Sequence, residues 1–212
     1  MRLATLSNIL EQSSTMTEDT SLSLHERIAG QVRQLRAARG LSLDALASHC
    51  GVSRSMISLI ERGESSPTAV VLERLASGLG VPLAALFDAA PATAADPVAR
   101  LAAQPLWRDP ASGYLRRNVS PAGTPVRIVE VEFPAGAEVA YETGARSPRV
   151  HQQIWVLEGR MQIRLGDTAH ELATGDCLAH ALDRPIVYSN PTRRPARYAV
   201  VLVHEAAAPL GR

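Results

Sequence analysis

The side chains best suited to chemistry in the first half of the chain lie along one predicted helix. Ile57 and Ile60 have the spacing of an inward helical face. The residues left pointing outward are Arg54, Ser55, Ser58, Leu59 and Arg62. Arginine can bind a phosphate, or the O6 and N7 atoms of a guanine, through two parallel hydrogen bonds. This helix therefore predicts a surface that could bind nucleic acid.

Two short helices joined by a tight turn are expected to position these side chains. Ser42 and Ser53 can each cap a helix, because a serine hydroxyl accepts a hydrogen bond from an otherwise unpaired backbone N–H. Gly51 stands between the helices, where the chain must turn sharply. The N–H groups at both caps suit a phosphate, so Ser42 and Ser53 are also candidate binding residues.

This helix pair resembles the helix-turn-helix of the phage-repressor-like (XRE) family of bacterial regulators. The resemblance covers roughly residues 26 to 88 and is carried by Ala47, Gly51, Val52, Ile57 and Ile60. It implies an all-α domain of five helices, whose recognition helix brings Arg54 and Ser55 to base edges in the major groove and Leu59 towards a thymine methyl. It also implies a homodimer on double-stranded DNA, with an inverted-repeat operator.

Further residues of this domain bear on contact with DNA. Arg33, Arg36 and Arg39 fall on the exposed side of the first helix, where phosphate contact and plain solvation are both open. Many family members have a glutamine where this chain has Leu43, so that DNA contact is not expected. Glu61 is predicted to be structural, because an unpaired carboxylate there would repel phosphates.

The second half of the chain changes to strand periodicity. Residues 126–133 alternate apolar and polar side chains, as do several later segments separated by Gly or Pro, which indicates an antiparallel sandwich or barrel. Residues 113 to 204 resemble a cupin, a small all-β jelly-roll barrel. The resemblance is carried by the run Trp155 to Gly159, by Gly166, by Gly175-Asp176 and by Asn190-Pro191.

Cupin enzymes hold a transition metal on histidines and a glutamate, and those positions are changed here. The glutamate position falls on Gln152 and the last histidine position on Ile186, so the resemblance implies neither metal nor cofactor. His151 should face away from the barrel interior if Gln152 faces into it, although a rebuilt metal site stays open. The polar residues that could line a ligand pocket are Arg127, Tyr141, Arg149, Gln152, His180 and Tyr188.

Composition indicates a globular protein of two domains. The 212 residues carry a net charge of +1 and are 46% hydrophobic. We expect a disordered tail over 1–22, the helix-turn-helix domain over 23–88, an Ala- and Pro-rich linker over 89–105 and the cupin-like domain over 106–212. With no apolar run of membrane length and both Cys50 and Cys177 in apolar patterns, we expect a cytoplasmic protein whose cysteines are reduced core residues.

The combined pattern predicts a DNA-binding transcriptional regulator rather than an enzyme. In this interpretation a small-molecule effector binds the metal-free barrel and shifts operator affinity. Two alternatives remain. The same two-domain architecture occurs in iron-dependent phosphonate epoxidases, whose helical domain is not regulatory. The barrel could also serve only for dimerisation.

Overall fold

The computed structural model describes residues 24–87, 96–121, 123–142 and 150–204. The helical unit consists of α1 (24–38), α2 (Leu43–Cys50), α3 (Arg54–Glu61) and α4 (Ala69–Gly78), followed by a 3-10 helix, Leu83–Phe87. The predicted tail over 1–22 and residues 89–95 of the predicted linker lie outside the described residues. None of the described helices is both long and apolar enough to cross a membrane.

The prediction of five α-helices is wrong, because the fifth helical segment is the 3-10 helix. Its first hydrogen bond joins the Ala85 N–H to the Pro82 carbonyl at 2.9 Å, which is the tighter i→i+3 pattern. A segment of five residues is too short to gain much from the i→i+4 pattern, and such short pieces commonly adopt the 3-10 form.

Serine caps begin the two helices of the helix-turn-helix, as expected. The Ser42 hydroxyl accepts a hydrogen bond from the Ala45 N–H at 3.0 Å, and the Ser53 hydroxyl accepts one from the Met56 N–H at 3.2 Å. Gly51 adopts a positive φ of 66°, a conformation in which a side chain would be strained, and its N–H closes α2 on the Ala47 carbonyl. These local bonds fix the angle at which α3 leaves the turn.

The barrel unit begins with a short 3-10 helix, Leu101–Ala103, and contains ten strands within the described residues. They are β1 (Leu106–Arg108), β2 (Leu115–Asn118), β3 (Val126–Phe133), β4 (Glu138–Tyr141), β5 (Val150–Glu158), β6 (Arg160–Leu165), β7 (Thr168–Ala173), β8 (Cys177–Ala181), β9 (Ile186–Ser189) and β10 (Ala196–His204). Six strands form one sheet in the order β1-β2-β3-β10-β5-β8, and four form the other in the order β4-β9-β6-β7.

Alternation along the strands decides which side chains enter the barrel. In β5, Gln152, Ile154 and Val156 are buried, whereas His151 and Trp155 are exposed. This confirms the expectation that His151 and Gln152 face opposite ways. The expectation for Cys177 is wrong: it pairs across the sheet with Trp155 on the outward face and is exposed, while Cys50 is buried. Its apolar neighbours belong to the alternate, inward positions.

The two units share one continuous apolar core. The Phe87 ring from the helical unit meets Trp107 of β1 edge-on, with ring centroids 5.5 Å apart, and Trp107 meets Tyr114 in the same way at 5.7 Å. The Asp109 carboxylate, which is buried, accepts a hydrogen bond from the Ala69 N–H at 2.9 Å. A barrel residue therefore satisfies a backbone donor at the N-terminus of α4.

Candidate functional site

The exposed face of α3 is the first candidate site. Ile57 and Ile60 are fully buried, and their packing turns the predicted contact residues outward. Arg54, Ser55 and Arg62 are exposed and Ser58 and Leu59 are half-buried. Met56, which the sequence pattern did not single out, is also exposed at the first turn of α3. The Ser55 and Ser53 hydroxyls lie 3.2 Å apart, next to the helix cap.

Both arginines of this face have acidic partners on the protein surface. Arg54 Nε lies 3.4 Å from Asp44 Oδ1, and the Arg62 guanidinium donates two hydrogen bonds of 2.8 Å to the Glu64 carboxylate. Arg62 also donates to the Ser58 hydroxyl. Exposed ion pairs of this kind stabilise a protein little, so either arginine can exchange its partner for a phosphate or a base.

Arg36, one of three arginines expected on the exposed side of α1, is instead turned inward. Its guanidinium donates to both carboxylate oxygens of Glu61, at 2.6 and 2.8 Å, and to the Leu41 carbonyl at 2.8 Å. The hydrogen bond to Glu61 raises the pKa of Arg36. Neither phosphate contact nor plain solvation, the two possibilities considered for Arg36, describes its position. Its guanidinium binds Glu61 and thereby holds α1 against the end of α3. Glu61 has the structural role expected of it.

A cavity of about 90 Å³ inside the barrel is the second candidate site. The helical unit contributes Glu73 of α4 and Pro82, Leu83 and Ala84 to its wall. The polar residues that the barrel contributes are Tyr114, Arg116, Tyr141, Gln152, Tyr188 and Tyr198. The wall is completed by apolar side chains such as Phe133 and Ile186. The cavity is thus closed on one side by the helical unit.

All four tyrosines of the chain line this cavity. The Tyr114 and Tyr141 hydroxyls lie 3.0 Å apart, and the Gln152 side-chain amide donates to the Tyr188 hydroxyl. Burial raises the pKa of Tyr141, Tyr188 and Tyr198, so these hydroxyls stay protonated at neutral pH. They offer neutral donors and acceptors to a ligand.

The structure brings together three of the six predicted pocket residues. Tyr141, Gln152 and Tyr188 line the cavity. His180 is the cross-strand partner of Gln152 but does not line the cavity; its Nδ1 lies 3.0 Å from the Ala181 carbonyl, and burial lowers its pKa. Arg127 lies with Arg27 beside a separate cavity between the two units. Arg149 lies outside the described residues.

Two charged residues of the cavity wall escaped the sequence prediction. Arg116 of β2 is 7% exposed and Glu73 of α4 is 8% exposed. Arg116 belongs to a strand that is too short to show alternation. Glu73 lies on a helix whose other buried residues are apolar. The one sequence signal for Glu73 is that a charged residue occupies an inward position of that helix. Tyr114 and Tyr198 were also missed, although both hold inward positions.

The residues of the cavity do not fit a transition metal. Gln152 and Ile186, the positions that the cupin resemblance pairs with metal ligands, both line the wall. An amide and an alkyl side chain supply no anionic or imidazole donor. Within the part of the chain that the structure describes, no three His, Cys, Asp or Glu side chains come together as a metal site. The donors that remain are phenols, one amide, one guanidinium and one carboxylate.

Comparison with known proteins shows relatives of both units. A helix-turn-helix domain model matches residues 27–89. The HTH-type transcriptional regulator SutR of Escherichia coli (strain K12) is 47% identical over 57 residues, which are 27% of this chain and 32% of SutR. The chain therefore matches about a third of the length of that relative.

Solved structures extend the similarity beyond the helical unit. A crystal structure of an HTH_3 family transcriptional regulator from Vibrio cholerae is 30% identical, has a TM-score of 0.69 and covers 87% of this chain and 99% of its own. The hydroxypropylphosphonic acid epoxidase from S. wedmorenis is 18% identical over 85% of this chain and 98% of its own, with a TM-score of 0.43. The similarity to the epoxidase is too distant for a reaction to be inferred for this chain.

Proposed function

Since the chain belongs to the helix-turn-helix family of transcriptional regulators of the phage-repressor-like type, we propose that it binds an operator in the cytoplasm and responds to a small molecule in its barrel. The observation that carries the proposal is the exposed face of α3, where buried Ile57 and Ile60 present Arg54 and Ser55 at the first helical turn. In this class of motif the first turn of the second helix enters the major groove.

Each residue of the face has a distinct part in the proposal. Arg54 takes the O6 and N7 atoms of a guanine and Ser55 contacts the neighbouring base edge. Leu59 lies against a thymine methyl, and Arg62, once released from Glu64, neutralises a phosphate with Ser58 beside it. The backbone N–H groups at the Ser42 and Ser53 caps receive phosphates on either side.

The protein is proposed to act as a homodimer on an inverted repeat. Two α3 helices related by a twofold axis can occupy major grooves one helical turn apart. The outer face of the six-stranded sheet supports the proposal, because it exposes apolar side chains in neighbouring strands: Val126, Ile128, Trp155 and Val203. Apolar surface of this kind is typical of a contact between subunits.

Ligand binding is proposed to act through the wall that the two units share. The cavity is lined by α4 and the 3-10 helix as well as by the barrel. A ligand that prefers the arrangement in which these parts are packed together shifts the population towards it, and operator affinity changes by the difference in binding free energy. The barrel is proposed to be non-catalytic, and stoichiometric iron with oxygen-dependent turnover would overturn that assignment.

Selection of genomic DNA fragments by the purified protein, followed by footprinting, tests the operator. The expected site has two protected half-sites about 10 base pairs apart, centre to centre. Fluorescence anisotropy with single-base variants of that site then measures base preference. Arg54→Ala should lose about 1–3 kcal/mol of discrimination at one guanine and little at other positions.

Arg164→Ala is the matched control, because it removes an exposed arginine from β6 of the barrel. It should leave both affinity and base preference unchanged. If Arg54→Ala keeps the wild-type footprint and the wild-type base preference, Arg54 does not read the operator and the proposed orientation of α3 is wrong.

A further inference from the structure

An unpaired buried cation lies in the wall of the barrel cavity. The Arg116 side chain is 7% exposed, and its Nε and Nη2 atoms have no hydrogen-bond partner among the described residues. One face of the guanidinium is covered by the Phe87 ring, whose centroid lies 4.7 Å from Cζ. A buried charge without hydrogen bonds is costly, and an anion in the cavity would supply the missing acceptors in bidentate form.

A buried carboxylate stands on another wall of the same cavity. Glu73 comes from α4 of the helical unit, is 8% exposed and makes no hydrogen bond or salt bridge to any described residue. The charged side chains that act on its pKa are Arg74, which favours the ionised form, and Glu142, which opposes it. Neither of these two residues lines the cavity. A cationic group inside the cavity would donate hydrogen bonds to the Glu73 carboxylate, just as an anion would accept hydrogen bonds from Arg116.

Arg116 and the ionised form of Glu73 have charges of opposite sign, and no salt bridge joins the two residues. A simple anion would satisfy Arg116 but would bring a second negative charge near Glu73. A simple cation would satisfy Glu73 but would bring a second positive charge near Arg116. A small molecule that carries a negative and a positive group at separate atoms satisfies both walls at once.

We propose that the effector is a free amino acid whose carboxylate binds Arg116 and whose ammonium group binds Glu73. This inference rests on the proposed ligand-sensing function and names the ligand class. The cavity volume of about 90 Å³ is smaller than the dry cavity of about 150 Å³ that holds benzene, so we expect glycine and alanine to bind before any larger amino acid. The tyrosine hydroxyls and the apolar wall surround that side chain.

The same contacts couple the ligand to the DNA-binding unit. Glu73 lies on α4, and Phe87, which covers Arg116, ends the helical unit. An amino acid held by both charges is therefore bound by the two units together, and it favours the arrangement in which they are packed. Because coupling is reciprocal, operator DNA changes the affinity for the amino acid by the same factor as the amino acid changes the affinity for DNA.

Calorimetry and thermal denaturation of the full chain test the requirement for both charges. The probes are glycine, L-alanine, L-valine and L-methionine, each compared with the carboxylic acid that lacks the amine and the amine that lacks the carboxylate. At least one amino acid should bind and raise Tm, whereas its two partial analogues should bind about tenfold more weakly or worse.

Two variants distinguish this assignment from a general loss of folding. Arg116→Gln should abolish binding of the amino acid. Glu73→Gln removes the preference for the amine, so the amino acid and the matching carboxylic acid should bind with similar affinity. Retained binding of both compounds without a preference for the amine requires a folded cavity, so it cannot arise from a misfolded variant.

The proposal is overturned if no amino acid binds, or if the wild-type protein binds the carboxylic acid as tightly as the amino acid. Both measurements are made without DNA, so they are independent of the operator experiment. Amino-acid binding by a protein that protects no DNA would overturn the regulatory function and support the ligand assignment. Operator binding by a protein that binds none of the probes would support the regulatory function and overturn the ligand assignment.

Discussion

At Gly78, the last residue of α4, the backbone lies close against the end of α2. A Cβ atom added to Gly78 would lie 2.6 Å from Cys50 Cβ, much closer than two carbon atoms can approach without movement. Cys50 Cβ is held on the backbone of a packed helix and cannot rotate away. Gly78 is therefore needed for the distance between the two helices rather than for a special backbone conformation.

Gly78→Ala should lower the free energy of unfolding by about 1–3 kcal/mol, because the added methyl group forces α2 and α4 apart. Urea-induced unfolding followed by circular dichroism measures this loss. Gly30→Ala in α1 is the control: its new methyl group meets nothing within 4 Å, so the variant should gain about 0.5–1 kcal/mol of helix propensity. A Gly78→Ala protein as stable as the wild type would show that the helices can separate without cost.

The roles of residues that contact near neighbours in the sequence were predictable, whereas the roles of residues whose partners are distant in the sequence were not. Ser42 and Ser53 cap helices through bonds to residues three positions ahead, so their spacing alone is informative. Arg116 and Glu73 are more than forty residues apart, and each resembles an ordinary polar position until the two units pack together. Arg36 was misplaced for the same reason, since Glu61 is its distant partner.

At the scale of elements, strands were easier to predict than the ends of the helical unit. The bounds of β3 match the alternating segment 126–133, because the strand has one buried and one more exposed face. The 3-10 helix was predicted as an α-helix, since both have the same apolar residues over so short a stretch. Alternation also predicts that Gln152 and His151 face opposite sides of the sheet, so that Gln152 lines the cavity and His151 does not.

The six-stranded sheet gives the prediction that belongs to this scale. Trp155 on β5 is 49% exposed, and it lies on the outward face with Ile128 of β3 and Val203 of β10. Trp155→Glu should convert the proposed dimer into a monomer, because it places a charge in an apolar interface. Sedimentation velocity should give twice the chain mass of 22.7 kDa for the wild type and the single-chain mass for the variant.

Leu101→Glu controls for the introduced charge, because Leu101 is also apolar and exposed but lies in the 3-10 helix before β1. It should sediment with the wild type. If Trp155→Glu also sediments with the wild type, the outer face of the sheet is not where two copies meet.

At the scale of the whole molecule, the packing of the two units sets a dependence on pH. Burial of Glu73 between α4 and the barrel raises its pKa to about 7, with Glu142 adding to the shift and Arg74 opposing it. In the unfolded chain this carboxyl titrates near its ordinary pKa of 4.5. Between these two values the folded protein holds a proton that the unfolded chain releases, so stability falls as pH rises through this window and levels off above it.

Glu73→Gln should remove this dependence, because an amide does not titrate. Urea unfolding of both proteins at several pH values from 5 to about 8 measures the effect. The wild type should lose stability relative to the variant as the pH rises, and all other groups cancel in the difference. Parallel curves for the two proteins would mean that Glu73 is solvated in the folded state.

The relation between the two units was the part of the architecture that the sequence could not predict. Composition marks residues 89–105 as a boundary, but the Ala- and Pro-rich stretch carries no information on whether the flanking units touch. The contacts that join them are single residues from each unit, such as Phe87 with Trp107, and none forms a motif. A cavity whose wall comes from both units can be recognised only after they are assembled.

The hydrogen bond from Ala69 to Asp109 limits how this protein could be recombined with its relatives. A helical unit transplanted onto a foreign barrel would leave the first N–H of α4 without its acceptor. A barrel given a foreign helical unit would leave Asp109 Oδ1 buried without its donor, while Oδ2 would still accept from the Ser112 N–H and hydroxyl. Chimeric regulators built from this chain should therefore exchange Asp109 and Trp107 together with the helices, so that the boundary of the transplant falls inside the barrel sequence.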